Sequence, residues 1–119
     1  MTPTLVLKDN KPFMVVGTPG GTTIPTSVFQ SIVNVIDFGM NADDAVNKPK
    51  FHHQWLPDTV FIEKGFSSTT ASALQSMNYK LVEREAIGRT EMILISFDGD
   101  KMKIQAAADG RGDDSAAGE

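Results

Sequence analysis

Two short runs of β-branched and other apolar residues open the chain, at residues 4–7 and 13–16, and a polar, turn-forming stretch separates them. This arrangement predicts a β-hairpin. From residue 24 to residue 38 the apolar side chains recur three and four positions apart, which is the period of an amphipathic helix. Thr23 is placed as its N-cap, Pro25 lies in its first turn, and Gly39 ends it.

A second, shorter helix is expected directly after the first. Asn41 can cap it, and Pro49 ends it because the residue before a proline avoids helical backbone angles. We predict residues 49–57 to be an irregular crossing segment.

The second half of the chain alternates between strand and helix signals. Predicted strands lie at residues 60–62, 81–82, 91–96 and 102–106, and a predicted helix capped by Ser67 ends near Asn78. Asp98-Gly99 predicts a hairpin between the last two strands. Mixed strands and helices of this kind predict an α/β or α+β layered sandwich.

Composition fits one domain, or part of one, over residues 1–119. The chain has 119 residues, 40% of them hydrophobic, and no internal repeat. Its net charge is −4 and its 11 Lys and Arg residues are scattered, so a nucleic-acid or anionic membrane partner is not expected. There is no cysteine, and no apolar run approaches the roughly 20 residues that span a bilayer. Residues 109–119 lack apolar periodicity and are predicted to be an irregular tail, either packed or frayed.

The strongest candidate for chemistry is the run Gly-Thr-Pro-Gly-Gly-Thr-Thr at residues 17–23, between a predicted strand and the long helix. A helix N-terminus leaves its first N–H groups unpaired and carries partial positive charge, and glycines let a ligand approach closely. We therefore expect an anion or a developing oxyanion at this glycine-rich run. The alternative is that these glycines only make a tight connection. A nucleotide-binding P-loop is excluded because Gly21 is followed by Thr22 and no lysine is near.

Other candidates are weaker. His52 and His53 are adjacent and have no carboxylate three or four residues away, so we expect a packed histidine beside Trp55 and no metal site. The acid pairs at residues 43–44 and 113–114 are expected at a helix start or on a solvated face, not as catalytic dyads.

Several segments together resemble the C-terminal portion of γ-glutamyltranspeptidase, an N-terminal nucleophile hydrolase. The most specific of them is Phe-His-His-Gln-Trp-Leu-Pro at residues 51–57, and the others are residues 1–4, 17–21, 63–66 and 111–114. The resemblance covers nearly the whole chain. It implies an α+β fold that forms part of a four-layer αββα sandwich.

In that family one precursor cuts itself into a large and a small subunit, and the new N-terminal threonine of the small subunit attacks γ-glutamyl amides such as glutathione. The resemblance implies that Gly20 and Gly21 supply the oxyanion-hole N–H groups. It also implies that the nucleophile lies upstream of this chain, that no cofactor is required, and that the partners are the rest of the small subunit and the large subunit. The family is commonly periplasmic or extracellular.

Three further expectations follow. The isolated chain should be catalytically silent, and exposed apolar surface should make it self-associate. Thr2 would become a rival nucleophile only if Met1 were removed, which Pro3 hinders. Related acylases acting on cephalosporin side chains or poly-γ-glutamate, and a non-catalytic interaction domain, stay open as alternatives.

The tail departs from the family pattern at two points. Residues 109–111 read Asp-Gly-Arg where the family usually has Asp-Pro-Arg, and Glu119 stands where an aromatic residue commonly follows the glycine. Both departures concern the packing of the tail and not the glycine run.

Overall fold

The computed structural model describes residues 3–118, so the expectations for Thr2 and Glu119 lie outside the described residues. The elements are β1 (Thr4–Lys8), β2 (Lys11–Gly17), a 3₁₀ turn (Gly21–Thr23), α1 (Ile24–Ile36), α2 (Ala42–Asn47), β3 (Phe51–His52), β4 (Val60–Glu63), α3 (Ser68–Ser76), β5 (Leu81–Arg84), β6 (Glu91–Asp98) and β7 (Lys101–Ala107). This mixture confirms the predicted α+β class.

Four strands form an antiparallel sheet in the order β1-β2-β6-β7. Both predicted hairpins are present. Asp9 and Asn10 turn the first with φ of 53° and 59°, and Gly99 turns the second with φ of 59°. Left-handed angles at these positions match the right-handed twist of paired strands, and Asn, Asp and Gly adopt them most readily.

Helices α1 and α2 cover one face of this sheet. Alternate residues of β2, Met14 and Val16, are almost completely buried there, as is Met92 of β6. The helices bury their apolar stripes on the same cluster with Val28, Val35, Ala42, Ala45 and Val46. This packing fixes the start of α1 beside the end of β2, and thus fixes the connection between them.

The opposite face of the same sheet is apolar, and within residues 3–118 no helix covers it, although the tail at residues 115–118 lies along part of it. The exposed fractions of its large side chains run from 40% to 60%, in Leu5, Leu7, Ile93, Met102 and Ile104. The strand register lines them up across the sheet, since Leu5 pairs with Val15, Val15 with Ile93, and Ile93 with Ala106.

A smaller sheet has the order β3-β4-β5, with β3 antiparallel to β4 and β4 parallel to β5. Helix α3 makes the crossover, and the Ser67 Oγ accepts a hydrogen bond from the Thr70 N–H at 3.2 Å, as its predicted capping role requires. Residues 49–57 are not wholly irregular, because β3 lies within them. A two-residue strand is too short to show any period, so the sequence pattern could not reveal it.

The helix ends differ from prediction in two details. The Thr23 hydroxyl does not cap α1 but donates to the Gly20 carbonyl at 3.0 Å. Helix α1 ends at Ile36, and Phe38 lies beyond it, 68% exposed. Asn41 caps α2 as predicted, with its Oδ1 accepting from the Asp44 N–H at 2.8 Å.

Candidate active site

Residues 17–23, termed the glycine turn, join β2 to α1 in a conformation that requires glycine. Gly20 has φ of 142° and Gly21 has φ of 59°. A Cβ on Gly20 would overlap the Thr23 Oγ1, whereas a Cβ on Gly21 would meet no atom within 4 Å. Both glycines are exposed. The turn therefore brings bare backbone to the surface at the head of α1.

The glycine turn has unpaired N–H groups. Within residues 3–118 the N–H groups of Gly20, Gly21 and Thr22 donate to no protein acceptor. The carbonyls behind them are engaged, since Gly20 O accepts from the Thr23 N–H at 3.2 Å and Gly21 O accepts from the Ile24 N–H. Three successive free donors at the start of a helix can bind an anion or a developing oxyanion.

Four charged side chains, Lys50, Glu63, Asp109 and Arg111, form a second feature, termed the buried charge cluster. The Arg111 guanidinium donates to Glu63 through Nε at 2.7 Å and through its second terminal nitrogen, and to Asp109 at 2.8 Å. Lys50 Nζ donates to the Val46 carbonyl at 2.6 Å and lies 3.3 Å from Asp109 Oδ2. The side chains of Lys50 and Asp109 are 2% and 0% exposed.

The two carboxylates of this cluster also accept backbone N–H groups. Glu63 accepts from Lys50 at 2.7 Å and from Ile87 at 2.6 Å. Asp109 accepts from Thr90 at 2.8 Å. The carboxylates therefore hold both ends of the loop that runs from Ile87 to Thr90.

The environment favours the ionised form of both acids. Burial raises the pKa of Glu63, but hydrogen bonds from Arg111 and from the N–H groups of Lys50 and Ile87 outweigh it and leave that pKa below its ordinary value. Burial likewise opposes ionisation of Asp109, and the N–H of Thr90 with the Arg111 side chain lowers its pKa overall. Burial, followed by the nearby Arg111 charge, lowers the pKa of Lys50.

Sequence reasoning assigned no role to Lys50 or Glu63. It named residues 63–66 and 111–114 only as segments of the family resemblance, and residues 109–111 as a departure in the tail. Glu63 and Arg111 are 48 positions apart, so no local spacing indicates the pair. The tail is packed at this point. The Gly110 N–H donates to Asn47 Oδ1 at 2.9 Å, a bond that a proline in that position could not make.

Only one histidine of the pair is packed, and it does not lie against Trp55 as expected. His53 is half-buried, with its Nε2 3.1 Å from Asp58 Oδ1 and its Nδ1 accepting the Trp55 N–H at 3.4 Å. His52 is buried and stacks on Phe61 with ring centroids 6.4 Å apart, whereas Trp55 is 77% exposed. Gln54 Nε2 donates to the Leu56 carbonyl, and Gln54 Oε1 lies 2.9 Å from His52 Nε2. His52 Nδ1 lies 2.8 Å from the Thr26 Oγ1, so both ring nitrogens have partners.

The remaining candidates have structural partners. Asp44 accepts from Asn41 Nδ2 at 2.8 Å at the start of α2. Asp114 lies 2.9 Å from Arg89 Nε, and Asp113 lies 3.9 Å from the same guanidinium. In the part of the chain that the structure describes, no three His, Asp or Glu side chains are grouped to hold a metal ion, and no helix is long and apolar enough to cross a bilayer.

Solved structures with this fold define the class of protein. A mutant γ-glutamyltranspeptidase from Helicobacter pylori superposes with a TM-score of 0.90 and 42% identity, over 94% of this chain and 61% of that one. A cephalosporin acylase from Bacillus halodurans superposes with a TM-score of 0.82 and 26% identity, over 93% of this chain and 21% of that one. The fold is that of N-terminal nucleophile hydrolases.

Sequence comparison identifies the family within that class. The family model described as Gamma-glutamyltranspeptidase matches residues 1–119. The glutathione hydrolase proenzyme of Escherichia coli (strain K12) is 46% identical over 99% of this chain and 20% of its own length. The chain belongs to the γ-glutamyltranspeptidase family, and it spans about a fifth of the length of the curated relatives it matches.

Proposed function

We propose that this chain is the C-terminal part of the small subunit of a γ-glutamyltransferase and glutathione hydrolase, and that Gly20 and Gly21 provide its oxyanion hole. The observation that carries the proposal is the set of free, exposed N–H groups in the glycine turn. Family membership supports it, and so does the name glutathione hydrolase proenzyme of the E. coli relative.

The reaction uses these N–H groups while charge develops on the substrate. A threonine hydroxyl from elsewhere in the precursor attacks the γ-carbonyl carbon. The π electrons of the C=O bond move to the carbonyl oxygen, which becomes the oxyanion. The Gly20 and Gly21 N–H groups donate to that oxyanion. Its collapse releases the amine, which takes up a proton, and leaves a γ-glutamyl ester on the threonine. Water or an acceptor amine then attacks the ester and frees the hydroxyl. One preorganised donor of this kind typically lowers the barrier by about 3–4 kcal/mol.

The uncovered face of the four-stranded sheet supports the proposed partners. Its exposed apolar side chains form a patch of the kind that a packed layer usually covers. We assign this face to the remainder of the small subunit, with the large subunit completing the enzyme. The isolated 119-residue chain should therefore self-associate, and strictly monomeric elution over a wide concentration range would count against this assignment.

The first test measures chromophore release from a γ-glutamyl anilide by the 119-residue chain and by the full-length, self-processed protein. We expect activity in the full-length protein only. Activity in the short chain alone would contradict the proposal and direct attention to Thr2 as a nucleophile.

A matched pair of variants tests the oxyanion role. Gly21 and Gly99 both have φ of 59° and open space where a Cβ would lie. Changing either to alanine imposes the same left-handed strain, of about 1–2 kcal/mol. We expect Gly21→Ala to lower kcat about 100-fold by turning its N–H away, and Gly99→Ala to leave kcat unchanged. Equal kcat values in the two variants would remove Gly21 from the mechanism.

A related acylase is the second candidate, because the cephalosporin acylase shares this fold at 26% identity. The discriminating measurement compares kcat/KM of the full-length protein on glutathione, on a cephalosporin side-chain amide and on poly-γ-glutamate. We expect glutathione to be hydrolysed with the largest value. A larger value on either rival would replace the substrate assignment while leaving the oxyanion role intact.

A further inference from the structure

One hydroxyl joins the glycine turn to the loop that runs from Ile87 to Thr90. Thr18 is completely buried, and its Oγ1 accepts a hydrogen bond from the Arg89 N–H at 2.8 Å. The same hydroxyl donates to the Pro19 carbonyl at 2.7 Å, two residues before the Gly21 N–H. The accepted bond joins Thr18 to a segment 71 positions away, and the donated bond fixes the hydroxyl to the backbone of the glycine turn.

Gly88 fits against this hydroxyl without room for a side chain. A Cβ at Gly88 would lie 2.8 Å from the Thr18 Oγ1 and 2.8 Å from the Ser27 Oγ, and its φ of 73° also requires glycine. On the other side, a Cβ on Gly20 would lie 3.5 Å from the Gly88 Cα. The loop is thus in close contact with the glycine turn at Gly20, whose N–H is the first of the three free donors.

The loop itself is anchored from behind. Glu63 accepts the Ile87 N–H at 2.6 Å and Asp109 accepts the Thr90 N–H at 2.8 Å, and both carboxylates are buried. Charge-assisted hydrogen bonds to backbone donors are short and strong, so the two ends of the loop are fixed. A rigid loop can hold the glycine turn in one conformation.

We propose that Thr18 and Gly88 are positioning residues for the oxyanion-hole N–H groups of Gly20 and Gly21. This inference rests on the proposed function. Neither the Thr18 hydroxyl nor Gly88 touches the substrate. They fix the peptide planes that do, and donors must stay within about 0.5 Å of the productive geometry to be effective. Free N–H groups cannot hold themselves in place, because they make no bond to the protein.

The test uses the full-length protein, with active sites counted by the burst of acyl-enzyme formation so that kcat refers to folded, mature molecules. Thr18→Val keeps the shape of the side chain and removes the hydroxyl, while Thr18→Ser keeps the hydroxyl. Thr59→Val is the control, since Thr59 is 7% exposed and lies directly before β4, outside both the glycine turn and the loop. We expect Thr18→Val to lower kcat about 10- to 100-fold with little change in KM. Thr18→Ser should restore kcat close to the wild-type value, and Thr59→Val should not change it.

A purely structural role would lower the thermal midpoint of Thr18→Val and leave kcat per active site equal to that of Thr59→Val. That result would overturn the positioning role. If Thr18→Val does not fold, Thr18→Ala takes its place with Thr59→Ala as its control. Failure of both Thr18 variants beside folded controls would make the hydroxyl a folding residue and would also overturn the proposal.

The two proposals fail in different ways. A wild-type full-length protein that releases no chromophore would remove the proposed function itself. An active wild type with unaffected Thr18 variants would remove only the positioning role. Gly88→Ala gives an independent check, because its Cβ would press on the same hydroxyl, and it should lower kcat as Thr18→Val does.

Discussion

Backbone N–H groups are hydrogen-bonded in the buried charge cluster and free in the glycine turn. In the buried charge cluster, carboxylates accept the N–H groups of Lys50, Ile87 and Thr90. In the glycine turn, the N–H groups of Gly20 and Gly21 have no acceptor among residues 3–118. Saturated donors hold a fold together, and unsaturated donors at the surface are available to a ligand. Damage to the cluster should therefore act first on stability, whereas damage to the turn should act on activity.

The largest effect is expected from Glu63→Ala in the full-length protein. This change removes one of the two carboxylates that pair with the Arg111 guanidinium, and it leaves two buried backbone N–H groups without their acceptor. Removing one partner of a buried ion pair typically costs about 3–5 kcal/mol. We expect a loss of that size in the free energy of unfolding, measured with a chemical denaturant.

Glu63→Gln is the matched control for this prediction. It retains the size of the side chain and one acceptor oxygen, so the loss should be smaller than in Glu63→Ala. A Glu63→Ala protein as stable as the wild type would show that the buried charge cluster does not stabilise the fold.

A smaller effect is expected on acidification. The pKa values of Glu63 and Asp109 are lower in the folded state than their ordinary values. The unfolded chain therefore binds protons first as the pH falls, and the stability from these ion pairs, complete above the ordinary carboxyl pKa of about 4, is lost as the pH falls toward the lowered values. We expect the thermal midpoint to fall steeply below about pH 4.5 in the wild type.

Glu63→Gln sharpens this prediction, because an amide does not titrate. Its thermal midpoint should start lower at neutral pH and fall less on acidification than that of the wild type. If the thermal midpoints of the two proteins fall in parallel with pH, then other carboxylates cause the loss of stability in acid.

Local signals in the sequence predicted the helices, every strand but β3, and the glycine turn. Pro25 and Gly39 bracket α1, Asn41 caps α2, and Asp98-Gly99 lies at the second hairpin, because caps and turns depend on residues close in sequence. The two glycines at the head of α1 were found for the same reason. Their geometry follows from the positive φ angles that only glycine adopts readily.

Contacts between distant residues could not be predicted in this way. Glu63 meets Arg111 across 48 positions, and Thr18 meets Arg89 across 71. His52 packs on Phe61 instead of Trp55 because β3 pairs with β4, and β3 is too short to leave a pattern. Hydrophobic periodicity reports which face an element buries, but it does not say which charged side chains meet behind that face.

The smallest effect is expected from Thr90→Val, which removes a buried hydroxyl at the end of the loop that the buried charge cluster anchors. Thr90 is completely buried, its N–H is bound by Asp109, and its Oγ1 has no partner among residues 3–118. A buried hydroxyl without a partner costs about 1–3 kcal/mol, so a methyl group of similar size should be tolerated or raise the thermal midpoint of the full-length protein. Thr59→Val serves as the control for the general effect of the substitution.

A clear loss of stability in Thr90→Val alone would mean that another part of the precursor supplies a hydrogen-bond partner to this hydroxyl. The Ile87–Thr90 loop would then be held from a third side, and its rigidity would depend on assembly as well as on the buried charge cluster.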